Sequence, residues 1–146
     1  MPQLSFAVSR AGLLVPTWIG LDGTTSSVLH AANRPIPPPI QVRGLLDTAC
    51  DMTAVASWVL RHLKIPAATT AVTQTASGQA QVKLYEVSLS LSDPASSGKV
   101  MLTKPDLLVT ELPASLADAD VLIGLDILLD CKLILDGPSR LFSLDF

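Results

Sequence analysis

The chain has 146 residues, 49% of them hydrophobic, enough apolar surface for one sizeable core and too little length for two ordinary domains. Its 10 Lys and Arg against 13 Asp and Glu give a net charge of −3 and a pI near 5.1, and the cations are too thinly spread to form a basic stripe, which excludes nucleic-acid binding. Mean hydropathy is +0.46, yet Asp126, Asp130, Lys132 and Asp136 interrupt the most apolar stretch, so no membrane-spanning helix fits. The short apolar run Ala11–Pro16, with Arg10 before it, lacks the cleavage site of a leader. The expectation is a single domain over residues 1–146, in the cytoplasm and away from any membrane.

In chain order, Leu4, Phe6 and Val8 alternate with polar or small residues, and Leu13 to Leu21 follow the turn-prone Arg10-Ala11-Gly12. That pattern predicts an N-terminal hairpin over residues 1–21. Residues 22–39 are first rich in Gly, Thr and Ser, then in Pro, which disfavours helix interior and central strand and predicts a surface excursion. Ile40, Val42 and Leu45-Leu46 predict a strand running into Asp47. From Thr53 to Lys64, Val55, Trp58, Val59, His62 and Leu63 share one helical face, and Pro66 stops the helix.

A period of two from Thr69 to Leu91 predicts a hairpin with Ser77-Gly78 at its tip. In its second arm Ala80, Val82 and Leu84 fall on even positions and Val87, Leu89 and Leu91 on odd ones, so a bulge or bend is expected near Tyr85-Glu86. Asp93–Lys99 reads as a further turn and Val100–Leu112 as strand. Val121-Leu122-Ile123-Gly124 predicts a short buried strand leading into one or two helical turns at Leu125–Asp130. Strands at 132–135 and 141–146 flank Asp136-Gly137-Pro138. Many short strands predict an all-β, mainly β architecture, a closed barrel or sandwich with one main helix and a short C-terminal one.

The stretch that carries chemistry is Leu45-Leu46-Asp47-Thr48-Ala49-Cys50-Asp51-Met52-Thr53. An Asp ending an apolar strand is partly desolvated, so its protonation can be tuned for acid–base work. Taken alone, an Asp-Thr pair after a strand also serves as a turn former or helix N-cap. Neither His30 nor His62 has a Ser or Cys partner by spacing, and Cys50 reads as a small buried thiol rather than a nucleophile. Cys50 and Cys131 lie far apart without a CxxC and read as reduced thiols. Asp126, Asp130 and Asp136 are spaced for a helix face and a turn, without the oxygen-rich loop of a calcium site, and no metal is expected.

Over roughly Val15 to Phe146 the sequence resembles the retropepsin-like, or retroviral-type, aspartic proteases, as a bacterial-type single-domain member. Two apolar residues precede Asp47-Thr48, Cys50 takes the small-residue place and Thr53 the Ser/Thr place. The hairpin over 70–84 looks like the flap, Leu122-Ile123-Gly124 like the second glycine motif, and Leu141–Phe146 like the terminal interface strand. The resemblance implies an aspartic endopeptidase working as a homodimer on an extended polypeptide, without cofactor. Asp47 and its mate would share a proton. Thr48, Thr53 and Gly124 would support the active-site loop, while Ala49, Asp51, Ser77 and Gly78 would line the substrate.

The chain departs from that pattern in two places. Ala49 replaces the signature Gly, where a Cβ is costly if φ is positive or if substrate backbone comes close. Leu125 follows Gly124 where retroviral enzymes have an Arg paired with the acidic position that Asp51 occupies. Two other readings therefore stand beside the peptidase. One is a protease-fold module that binds peptides or dimerises with weak or no turnover, and the other is an unrelated barrel in which Asp47 caps the helix.

Overall fold

The computed structural model describes residues 1–112 and 116–146. Its elements are β1 (Gln3–Ala7), β2 (Leu14–Leu21), α1 (Gly23–Ala31), β3 (Ile40–Leu46), β4 (Ala54–Ala56), α2 (Ser57–His62) and β5 (Thr69–Thr75), followed by β6 (Gly78–Ser92), β7 (Met101–Leu112), β8 (Val121–Ile123), α3 (Leu125–Leu128), β9 (Lys132–Asp136) and β10 (Leu141–Asp145). A short 3-10 turn at Pro94–Ser96 joins β6 to β7.

Strands β2, β3, β8, β4, β7 and β6 are neighbours in that order, and β2 also pairs with β6, so the sheet closes into a six-stranded barrel. The β3–β8 and β4–β7 pairs are parallel and the others antiparallel. Alternation fills the interior: Val15, Thr17 and Ile19 from β2, Val42 and Leu46 from β3, Val87, Leu89 and Leu91 from β6, and Val121 and Ile123 from β8 are all buried. Helix α2 adds Val59 and Leu60, with Leu63 just beyond its end. The mainly β closed barrel expected from the sequence is the architecture found.

A second sheet, in the order β1-β10-β9, pairs with no barrel strand but packs its Leu4, Phe142 and Leu144 into the same apolar core. The hairpin expected over residues 1–21 is therefore not formed. Its turn exists, as the Ser9–Gly12 bridge, but β1 pairs with β10 while β2 joins the barrel. Local alternation and a turn signal cannot distinguish these outcomes. The partner of β1 is set by apolar pairing across the chain, Leu4 with Leu144 and Phe6 with Phe142, the two rings 5.7 Å apart.

Three other boundaries move. Within the 22–39 stretch, residues 23–31 form α1, because the prolines begin only at Pro35 and Asp22 caps the helix by accepting from the Thr25 N–H at 2.8 Å. No α1 residue is buried, and Asp106 of β7 holds its first turn through the Thr24 N–H. The helix expected from Thr53 starts at Ser57, since the three residues before it form β4, a strand too short to show a period. In β6 the phase change is where the sequence puts it, with Leu84 and Tyr85 both buried as the strand leaves β5 and enters the barrel. The bulge itself lies further on, between Val87 and Leu89. There the extra residue belongs to β7, at Pro105-Asp106, where a residue without an N–H is tolerated.

Candidate active site

Parallel pairing of β3 with β8 and antiparallel pairing of β4 with β8 place β8 between the other two. Residues 47–53, which connect β3 to β4, must therefore pass over the end of β8. Asp47 is anchored at the start of this loop by donating its N–H to the Ile123 carbonyl at 2.9 Å. The residue is half-buried, and its carboxylate is held at both oxygens. The Ala49 N–H donates to Oδ1 at 3.0 Å and the Cys50 thiol to Oδ2 at 3.1 Å. Asp47 thus caps its own loop and takes no part in capping α2, whose N-cap is Ala56.

Beneath the loop lies a buried clamp. Thr53, fully buried, donates its N–H to Asp126 Oδ2 at 2.9 Å and its hydroxyl to Asp126 Oδ1 at 2.7 Å, and it accepts from the Gly124 N–H at 3.1 Å. Two further bonds tie the loop to α3, from the Leu125 N–H to the Cys50 carbonyl and from the Asp126 N–H to the Asp51 carbonyl. Gly124 is required by this contact. A Cβ there would stand 2.8 Å from the Cys50 oxygen and the Met52 carbonyl carbon, and 3.0 Å from the Thr53 nitrogen, all backbone atoms.

Asp126 is the residue that sequence reasoning missed, having read it as part of a helix face. A sharper signal was available. It is the acidic residue in the first turn of the helix that follows the apolar pair and Gly, and its partner Thr53 is a polar residue ahead of an apolar run.

Burial, then the hydrogen bond to Asp47, then the charges of Asp47, Asp51 and Asp126, push the Cys50 thiol up to about 11. It is therefore protonated near neutral pH and acts as a donor. Thr48, Ala49 and Asp51 are exposed on the outer side of the loop. Among the described residues no cation lies within ion-pair distance of Asp51. Ala49 is not among the residues with positive φ, so its Cβ imposes no backbone strain.

Ser77 and Gly78 lie elsewhere, at the end of the β5–β6 hairpin. The pairing closes at Thr75 and Gly78, which makes Ala76-Ser77 the two-residue tip, with Gly78 at φ +121. The Ser77 hydroxyl lies 3.2 Å from the Thr75 hydroxyl within that tip, and it is not bonded to the Asp47 loop. From Pro66 to Val82 the sequence carries no charged residue. Among the described residues no three His, Cys, Asp or Glu side chains are grouped to hold a metal ion, and no helix is long and apolar enough to cross a membrane. His30 and His62 are both exposed.

Residues 40–127 match the model of the family described as aspartyl protease, an interval that brackets Asp47, Thr53, Gly124 and Asp126. Among solved structures, a retropepsin-like aspartic protease from Rickettsia conorii matches with a TM-score of 0.59 at 13% identity, over 97% of this chain and 89% of that one. At that identity the likeness shows a common retropepsin-like fold. No curated protein matches the sequence.

Proposed function

The chain belongs to the aspartyl protease family, and from that premise we propose that it is one protomer of a homodimeric aspartic endopeptidase acting on extended polypeptides. The observation that carries this reading is the carboxylate of Asp47, a half-buried residue at the end of a barrel strand, fixed at both oxygens and set on a loop braced from below. A single such carboxylate is half of the machinery. Two of them, brought together about a two-fold axis, would share one proton, so that one accepts a proton from water while the other polarises the peptide carbonyl. The water oxygen then bonds to the carbonyl carbon, and the tetrahedral species collapses as the departing amine takes a proton from the pair.

Thr48, exposed beside Asp47, would meet its mate across that axis. The β5–β6 hairpin serves as the flap, with Ser77-Gly78 near its end. It offers the substrate a strand partner, so that recognition is chiefly by main-chain hydrogen bonds. Ala49 and Asp51 face outward, where substrate amides would lie. The chemistry needs neither metal nor organic cofactor. Two cysteines left unpaired suit a reducing compartment such as the cytoplasm.

The test is cleavage of a mixed peptide library at mildly acidic pH, with sedimentation of the same sample. Dimers that cleave peptides, and an Asp47→Asn variant that does not, are the expected outcome. A fully active monomer overturns the reading. Peptide binding without cleavage gives the second reading, a module without turnover, which Ala49 motivates through substrate approach alone since it carries no backbone strain. In that case Ala49→Gly should restore turnover.

A further inference from the structure

Among the described residues, Cys50 is the one side chain hydrogen-bonded to the Asp47 carboxylate, and nothing in the proposed reaction uses it. The Sγ–Oδ2 separation of 3.1 Å lies well within hydrogen-bonding reach of a thiol, although a thiol is a weak donor. Ala49 holds Oδ1 through its backbone, which any residue other than proline would provide at that position. The hold on Oδ2 is made by a side chain and so depends on the sequence. The charged groups acting on the thiol from the loop and from α3 are Asp47, Asp51 and Asp126, all acidic, and they oppose its ionisation.

We infer that Cys50 is a positioning residue for Asp47: its protonated thiol donates to Oδ2 and fixes the rotation of the carboxylate. The anionic oxygen in turn keeps the donor that faces it protonated. The pair is read from geometry. Its consequence for rate rests on the peptidase reading above, so the experiment has one arm that needs no activity.

The first arm uses a Cys131→Ser background, leaving Cys50 as the only thiol, and follows alkylation by iodoacetamide against pH by mass spectrometry. The thiolate displaces iodide as the S–C bond forms, so the rate reports the thiolate fraction. Replacing Asp47 with Asn should speed alkylation at pH 9 on the order of tenfold, the factor carried by one pKa unit. Asp51→Asn, which removes a charge of smaller influence and no hydrogen bond to the thiol, should change it far less. Unchanged melting temperatures show that neither variant exposes the thiol by unfolding. Equal alkylation rates in the Asp47→Asn protein and its parent, or equal acceleration by the two variants, overturn the pair.

The second arm measures kcat and KM separately on a cleaved peptide. In Cys50→Ala kcat should fall severalfold with KM unchanged, and in Cys50→Ser it should recover, because the hydroxyl restores the donor. An unchanged kcat in the Ala variant overturns the positioning role. Absence of cleavage in every variant refutes the peptidase reading, while the alkylation arm still decides the pair.

Discussion

The loop over residues 47–53 and the hairpin over 69–83 are both connections on the same barrel, yet they are held in opposite ways. The loop is bonded to three other elements: Asp47 reaches Ile123 of β8, the Thr53 carbonyl accepts from Thr110 of β7, and Thr53 and the Cys50 and Asp51 carbonyls bond to α3 and its Gly124 cap. The hairpin is held by the pairing of β5 with β6, and its residues from Thr69 to Thr75 are almost all exposed. The loop that carries Asp47 sits where packing and hydrogen bonds fix it. The exposed hairpin, in which β5 pairs with β6 alone among the described strands, should open at lower cost.

Perturbing the two regions in parallel should separate them, most strongly at their glycines. Gly124→Ala forces a Cβ against three backbone atoms, and urea denaturation should show a loss of about 3 kcal/mol or more, with m unchanged. Less damaging, Thr53→Val keeps the shape of the clamp and the backbone bond to Asp126 Oδ2 but strands Oδ1 and the Gly124 N–H, a cost of about 2 kcal/mol. Equal stability of Thr53→Val and the parent would mean that packing and the backbone bonds hold the loop without the hydroxyl.

On the hairpin side, Gly78→Ala meets open space but a φ of +121, so the strain of about 1–2 kcal/mol is local. Hydrogen exchange should speed in Thr69–Lys83 and stay unchanged in the barrel. A global loss of protection would erase the distinction between the two regions.

The smallest effect is alkaline. The folded thiol of Cys50 holds its proton up to about 11, above the ordinary value of 9.0, so the unfolded chain releases that proton first. Its contribution is present below about pH 9 and declines as pH rises toward 11. Tyr85 and Cys131 are shifted in the same direction, chiefly by burial, and add to the decline. Stability measured across that window should fall less steeply in Cys50→Ala than in the parent.

What could be read in the sequence was whatever is local. The strand into Asp47, the apolar pair before Gly124 and the polar hairpin each announce themselves within ten residues or so, and the barrel follows from their number and spacing. The β1–β10 pairing is invisible at that range because its information is a match between Leu4 and Leu144 across nearly the whole chain. Helix α1 was hidden by averaging a capped segment with the prolines behind it. β4 was hidden because three buried residues look the same in a helix as in a strand. Asp126 was missed for a related reason: its role is defined by Thr53, distant in sequence and adjacent only once β8 lies between β3 and β4.

The β1–β10 register also sets an order of events during synthesis. While the ribosome is still making the barrel strands, Leu4 and Phe6 have no partner, and they remain exposed until Phe142 and Leu144 emerge. β1 thus leaves the exit tunnel ahead of β2 to β10 and is yet among the last of these strands to be paired. A released chain ending after α3 would hold every barrel strand but leave β1 a bare apolar ribbon, prone to stick to its neighbours.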